Sequence, residues 1–126
     1  MNHERIAQCI VMLQTVNEDN FNMEHFNCGT AACFAGHLAA DPSFRATGGS
    51  ATQTGAPLYN GVDCEGAVAQ YLGISNRLAS CIVLDQDPER PFGYSFWRDE
   101  IGIPFEQVRP GHVIDILERT MQGEFT

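Results

Sequence analysis

The 126-residue chain carries 16 acidic side chains against 7 basic ones, all of them arginine, for a formal net charge of −9. That balance repels phosphate backbones and anionic lipid head groups, so nucleic acid and membrane are disfavoured as ligands, and basic proteins, cations or neutral small molecules remain. The length is that of a single domain, residues 1–126, able to bury roughly two-thirds of its unfolded surface; with 44% hydrophobic residues the fold is expected to need no metal or crosslink.

From Glu4 to Val16, the residues Ile6, Cys9, Ile10, Leu13 and Val16 recur at spacings of three and four, which predicts an amphipathic helix. Asn17 to Asn20 form its polar exit. Phe21, Met23 and Phe26 then read as an aromatic lid. The next helix is predicted from Asn27 to Ala40, with Asn27 or Thr30 as cap and Asp41-Pro42 as stop. Ala31, Ala32, Ala35, Gly36, Ala39 and Ala40 leave it small-sided, so neighbours can approach closely, and residues 28–40 are expected to form the central helix.

Asp41 and Pro42 can start one further turn through Arg45. Residues 46–61 are rich in Gly, Thr, Ser and Pro without a period, and predict a mobile surface loop. Asp63 caps a helix through Leu72, with Ala67, Val68, Tyr71 and Leu72 inward and Gly73 as a left-handed stop. Ser75 caps another, whose apolar face is Leu78, Ala79, Ile82 and Val83. After a break over Asp85 to Pro91, Tyr94 to Ile101 predict a short helix ending at Gly102. Pro110 starts the last helix, with Val113, Ile114, Leu117 and Met121 aligned and Gly123 as its end. The expected fold is mainly α: a single compact domain of five or six short helices around the small-residue helix.

The five cysteines at 9, 28, 33, 64 and 81 are odd in number, and no signal segment opens the chain. No apolar stretch approaches the ~20 residues that cross a bilayer. A soluble, cytoplasmic protein with reduced thiols is expected.

The most distinctive segment is HFNCGTAACFAGH, from His25 to His37. It supports three readings. Cys33 and His37 lie four apart on the predicted helix and share a face, as zinc ligands do, with Cys28 a further thiolate. Cys28 is however about 140° round the helix from Cys33, so a tetrahedron forms only if Cys28 and His25 belong to the preceding loop. The second reading is nucleophilic. A cysteine in a first helical turn feels free backbone N–H groups that favour thiolate, and Cys28 is so placed if Asn27 is the cap. Gly29 and Thr30 would leave donors for an oxyanion, and His25, His37 or His112 could act as base with Asp115 orienting it. Over a handful of positions this resembles the cysteine-then-helix start of papain-like proteases. The third reading is packing: unpaired cysteines and small residues suit a buried helix, and His37 would bond the last carbonyls of its own helix.

The stretch NCGTAACFAGHLA, preceded by FNM and followed after a loop by AVAQYLGIS, resembles a group of small uncharacterised bacterial and phage-encoded proteins. Their mark of Cys-Gly-Thr, two residues, Cys, one residue, Ala-Gly falls here on Cys28, Gly29, Thr30, Cys33, Ala35 and Gly36. The resemblance spans about two-thirds of the chain and implies a helical domain without an assigned activity.

Residues 67–83 match the spacing of a helix-turn-helix through Ala69, Gly73, Ile74, Ala79 and Ile82. Its second helix offers Asn76 and Arg77 and no further basic residue, too few phosphate contacts for a DNA reader. The aromatic run Phe92 to Phe105 is core if buried; if exposed, Tyr94, Trp97 and Arg98 would form an interface. The function expected is a non-enzymatic protein-interaction module, phage-encoded in origin, binding another protein or itself. The alternatives are a hydrolase or transferase using Cys28 with His25 and His37, and DNA binding through 67–83. No cofactor is called for.

Overall fold

Asn2 opens the first helix by accepting the Arg5 N–H at 3.0 Å, which satisfies one of the donors that a helix start leaves unpaired. The computed structural model describes residues 1–21, 33–53, 55–83 and 95–125. In chain order it contains α1 (His3–Thr15), a 3-10 turn (Glu18–Asn20), α2 (Phe34–Ala40), α3 (Pro42–Ala46), β1 (Ser50–Ala51), β2 (Pro57–Tyr59), β3 (Val62–Asp63), α4 (Cys64–Leu72) and α5 (Asn76–Ile82). A π-helical turn (Phe96–Ile101), a second 3-10 turn (Phe105–Gln107) and α6 (Pro110–Met121) follow. The architecture is mainly α.

Ile6, Cys9, Ile10 and Leu13 bury one face of α1, and α1 packs chiefly against α6. On α6 the inward set is Val113, Ile116, Leu117 and Thr120, which share a face at spacings of three and four. Ile114 and Met121, expected to point inward, are half-buried at its margin. Thr120 can be buried because its hydroxyl donates to the Ile116 carbonyl at 2.7 Å.

α2 touches α1, α3, α4, β1 and β2. It buries Phe34, Ala35, Gly36, Leu38 and Ala39, so the central role expected of the small-residue helix holds for its described part. That helix starts at Phe34, later than expected. Cys33 is its N-cap, with extended backbone at φ −77° and ψ −179°. Residues 27–32 lie outside the described residues.

Residues 46–61, expected as a mobile surface loop, instead carry β1 and β2, which with β3 just beyond them form a small antiparallel sheet of order β1-β2-β3, with Ser50 opposite Leu58 and Tyr59 opposite Val62. Asn60 and Gly61, at φ 53° and 79°, form the two-residue turn between Tyr59 and Val62, a backbone hand that matches the twist of paired strands. Packing then fixes the hairpin. Tyr59 meets Tyr71 of α4 edge-on at 5.5 Å, and Tyr71 meets Phe44 of α3 at 4.9 Å. Gly49 lies against the same Phe44 ring, where an added Cβ would come within 2.4 Å of it.

Arg5 ties this aromatic group to α1. Its guanidinium lies 4.5 Å from the Tyr71 ring centroid and donates to the Tyr71 carbonyl at 3.1 Å and the Tyr59 hydroxyl at 3.2 Å. Beside it, Gly73 ends α4 at φ 68° and donates to the Ala69 carbonyl, as its sequence position predicts. A side chain there would also press on Met1, whose Cα lies 3.1 Å from the ideal Cβ. Ser75 caps α5 by accepting the Leu78 N–H at 3.1 Å. Among the described residues no helix is long and apolar enough to cross a membrane.

Candidate functional site

Cys28, the candidate nucleophile, His25, one of its three candidate bases, and Tyr94 of the aromatic run lie outside the described residues. Cys33 and His37 are described. Cys33 is fully buried at the N-cap of α2, and its carbonyl accepts the His37 N–H at 3.0 Å. The helix expected to carry Cys28 in its first turn therefore begins at Phe34, after Cys33. Among the described residues no three of His, Cys, Asp and Glu come together as a metal-binding group.

His37 Nε2 lies 2.9 Å from the Asn20 carbonyl. A carbonyl only accepts, so this nitrogen carries the proton and donates. The imidazole also lies parallel to Phe21, with ring centroids 6.0 Å apart. The expectation that His37 bonds the last carbonyls of its own helix is corrected: those acceptors are taken by other donors. The Asp41 N–H reaches the Leu38 carbonyl at 3.0 Å and the Arg45 Nε–H reaches the Ala39 carbonyl at 2.8 Å. His112 is engaged locally as well. Its Nδ1 accepts the Arg109 N–H at 2.9 Å at the start of α6, and Asp115 pairs with Arg119 at 3.6 Å. Burial holds the Cys9 thiol at a pKa of about 12, with the Asp41 carboxylate adding to the effect, so Cys9 remains a thiol throughout the neutral range.

Of the two fates open to the aromatic run, core if buried or interface if exposed, Trp97 takes the first, which removes it from the candidate interface of Tyr94, Trp97 and Arg98. Its ring is fully buried, with Nε1–H donating to the Cys81 carbonyl at 2.9 Å and Phe96 edge-on at 5.3 Å. An indole has one polar atom, and once a backbone acceptor satisfies it the ring is free to serve as core. Arg98 is exposed, and its guanidinium grips the carboxylate of adjacent Asp99 at 2.9 and 3.2 Å. The α4–Gly73–α5 unit has the expected helix, left-handed glycine and capped helix, and α5 turns Asn76 and Arg77 to solvent.

The surface feature that stands apart is on α1. Val11 is 60% exposed, and Met1 is the other large hydrophobic side chain left open among the described residues. With Ala7 and Met12, Val11 lines a shallow groove of about 480 Å³, bordered by Glu4, Gln8, Thr15, Asp41 and Ser43. Glu4, Ala7, Val11 and Thr15 follow one another at spacings of three and four, so they form a single stripe along the helix. The groove has two carboxylates in its lining and no cationic side chain.

Comparison with protein-family models, curated proteins and solved structures finds no match for this chain. Ala7 and Val11 lie off the inward face that the spacing of Ile6, Cys9, Ile10 and Leu13 defines for α1. The available signal was Val11 itself, an apolar side chain about 100° or more away from Ile6 and Ile10 around the helix, amid Glu4, Gln8 and Gln14. Asp41 caps α3 as its place before Pro42 predicts, accepting the Phe44 N–H at 3.3 Å. Its second position, on the rim of a groove beside α1, depends on how α3 packs.

Proposed function

We propose that this chain is a non-enzymatic protein-interaction module of the cytoplasm that receives a basic amphipathic helix of another protein along the outer face of α1. The observation that carries the reading is the exposed Val11, set beside Ala7 and Met12 in a groove whose lining holds Glu4 and Asp41 and no cation. An apolar anchor set into such a groove is desolvated, while Lys or Arg on either side of it meets carboxylates. This is helix-in-groove recognition, in which residues spaced three and four apart supply the anchors. The net charge of −9 adds attraction at longer range. The resemblance of the Cys28–Gly36 segment to small bacterial and phage-encoded proteins supports a phage origin, with a host protein as the source of the helix.

The test is calorimetric titration with a synthetic helical peptide of alternating Leu and Lys/Arg faces, against the native protein and Val11→Glu. Saturable binding that weakens at least tenfold in Val11→Glu, and that falls with added salt, supports the reading. Equal binding by both proteins, or none by the native one, contradicts it. Self-association, measured by sedimentation and abolished by Val11→Glu, would assign the groove to a second copy instead.

A further inference from the structure

A second cavity, of about 390 Å³, opens between α5, the π-helical turn and the end of the chain, and shares no lining residue with the groove on α1. Its volume is in the range of small-molecule sites, roughly 300–1,000 Å³. Leu78, Cys81, Phe96 and Phe125 give it apolar walls, and Arg77 and Glu100 stand exposed at its mouth.

Phe125 shows what these walls retain. Its ring meets Phe96 edge-on at 5.6 Å, with the Arg119 guanidinium 4.8 Å from its centroid. Arg119 is held in turn by Glu124 at 3.0 Å. The Phe125 backbone sits at φ 61°, a left-handed conformation unfavourable for a side chain of this size. Phe125 keeps this conformation with its ring against Phe96 and under Arg119, so the open volume lies beside an aromatic pair already in contact.

Two of the three charged side chains lining the cavity have no ion-pair partner among the described residues. Asp99 is taken by Arg98, whereas Arg77 and Glu100 form no ion pair among the described residues. They come from different walls, Arg77 from α5 and Glu100 from the π-helical turn. We propose that this cavity binds a small zwitterionic aromatic molecule, with its ring against Phe96 and Phe125, its carboxylate toward Arg77 and its ammonium group toward Glu100.

Three indoles differing in charge test this: L-tryptophan as zwitterion, indole-3-acetate as anion and tryptamine as cation, each titrated at neutral pH and followed by NMR. L-Tryptophan should bind best, with saturable shifts at Arg77, Glu100 and Phe125. Arg77→Gln should weaken L-tryptophan and indole-3-acetate by about two- to fivefold without weakening tryptamine. Glu100→Gln should weaken L-tryptophan and tryptamine by a similar factor and spare indole-3-acetate. Both side chains are exposed, so the variants should fold as the native protein does, and Phe125→Ala should weaken all three probes alike. Three indoles binding equally, with neither charge variant mattering, would reduce the cavity to an apolar contact and overturn the proposal. So would the absence of saturable shifts, or shifts confined to α1.

Discussion

His37 of α2 holds the carbonyl of Asn20 at 2.9 Å, bridging two segments 17 residues apart. This bond and the parallel contact with Phe21 assign the imidazole a tethering role. His37→Ala should therefore lower stability by about 1 kcal/mol, the usual net value of such a bond when it is partly solvated. His37→Phe, which keeps a ring against Phe21, should recover part of the loss. Urea unfolding of the three proteins measures this, and an unchanged midpoint in His37→Ala would remove the tether.

Trp97 sits wholly inside the core with its N–H on the Cys81 carbonyl. Trp97→Phe removes that donor and leaves a gap, for a cost of about 2–3 kcal/mol. The native protein's fluorescence should be blue-shifted and move to the red on unfolding. Native emission already at the wavelength of the unfolded chain would place the indole in water.

The elements legible from sequence are those in which one local pattern decides the outcome. The three- and four-residue spacing of Ile6, Cys9, Ile10 and Leu13 specified α1, and Gly73 followed by Ser75 specified the α4–α5 corner, because a left-handed stop and a hydroxyl cap act within their own turn. The hairpin was missed although Asn60-Gly61 is a strong turn signal. Its strands are two or three residues long, too short for alternation to register, and tertiary contacts of Tyr59 with Tyr71 hold them. The burial of Trp97 was illegible for another reason: the acceptor that satisfies it, the Cys81 carbonyl, is brought close only by folding. For the candidate groove, Val11 was visible as an apolar residue on a polar face, whereas the position of Asp41 across from it depends on packing.

Arg5 supports two aromatic rings and two acceptors at once. Lysine keeps the charge but loses the flat surface and the fork of donors, so Arg5→Lys should cost about 1–2 kcal/mol. Tyr59→Phe removes one hydrogen bond and should cost less, about 0.5–1 kcal/mol. Combined, the two should fall short of additive, since both break the same bond. A fully additive double mutant in thermal or urea unfolding would show that Arg5 and Tyr59 act separately.

The buried Cys9 thiol gives the fold an alkaline limit. Its ordinary value of 9.0 is raised to about 12 by burial and by the Asp41 charge. The folded protein thus keeps a proton that the unfolded chain releases, and stability present below pH 9 should fall progressively as pH rises from about 9 to about 12. Tyr71, also raised by burial, acts in the same direction above its ordinary value of 10.0. Cys9→Ala should be less stable at neutral pH, through lost packing, yet show a shallower decline above pH 9. Unfolding midpoints at several pH values would reveal this, and parallel declines in the two proteins would contradict it.

The most direct test of the interaction role is a ¹⁵N-correlation titration of the native protein with the Leu/Lys/Arg helical peptide. Shifts at Glu4, Ala7, Gln8, Val11, Met12, Thr15 and Asp41 that saturate together would mark the outer face of α1 as the binding surface. Saturating shifts that leave these residues untouched, or no shifts at peptide concentrations in the millimolar range, would contradict the account.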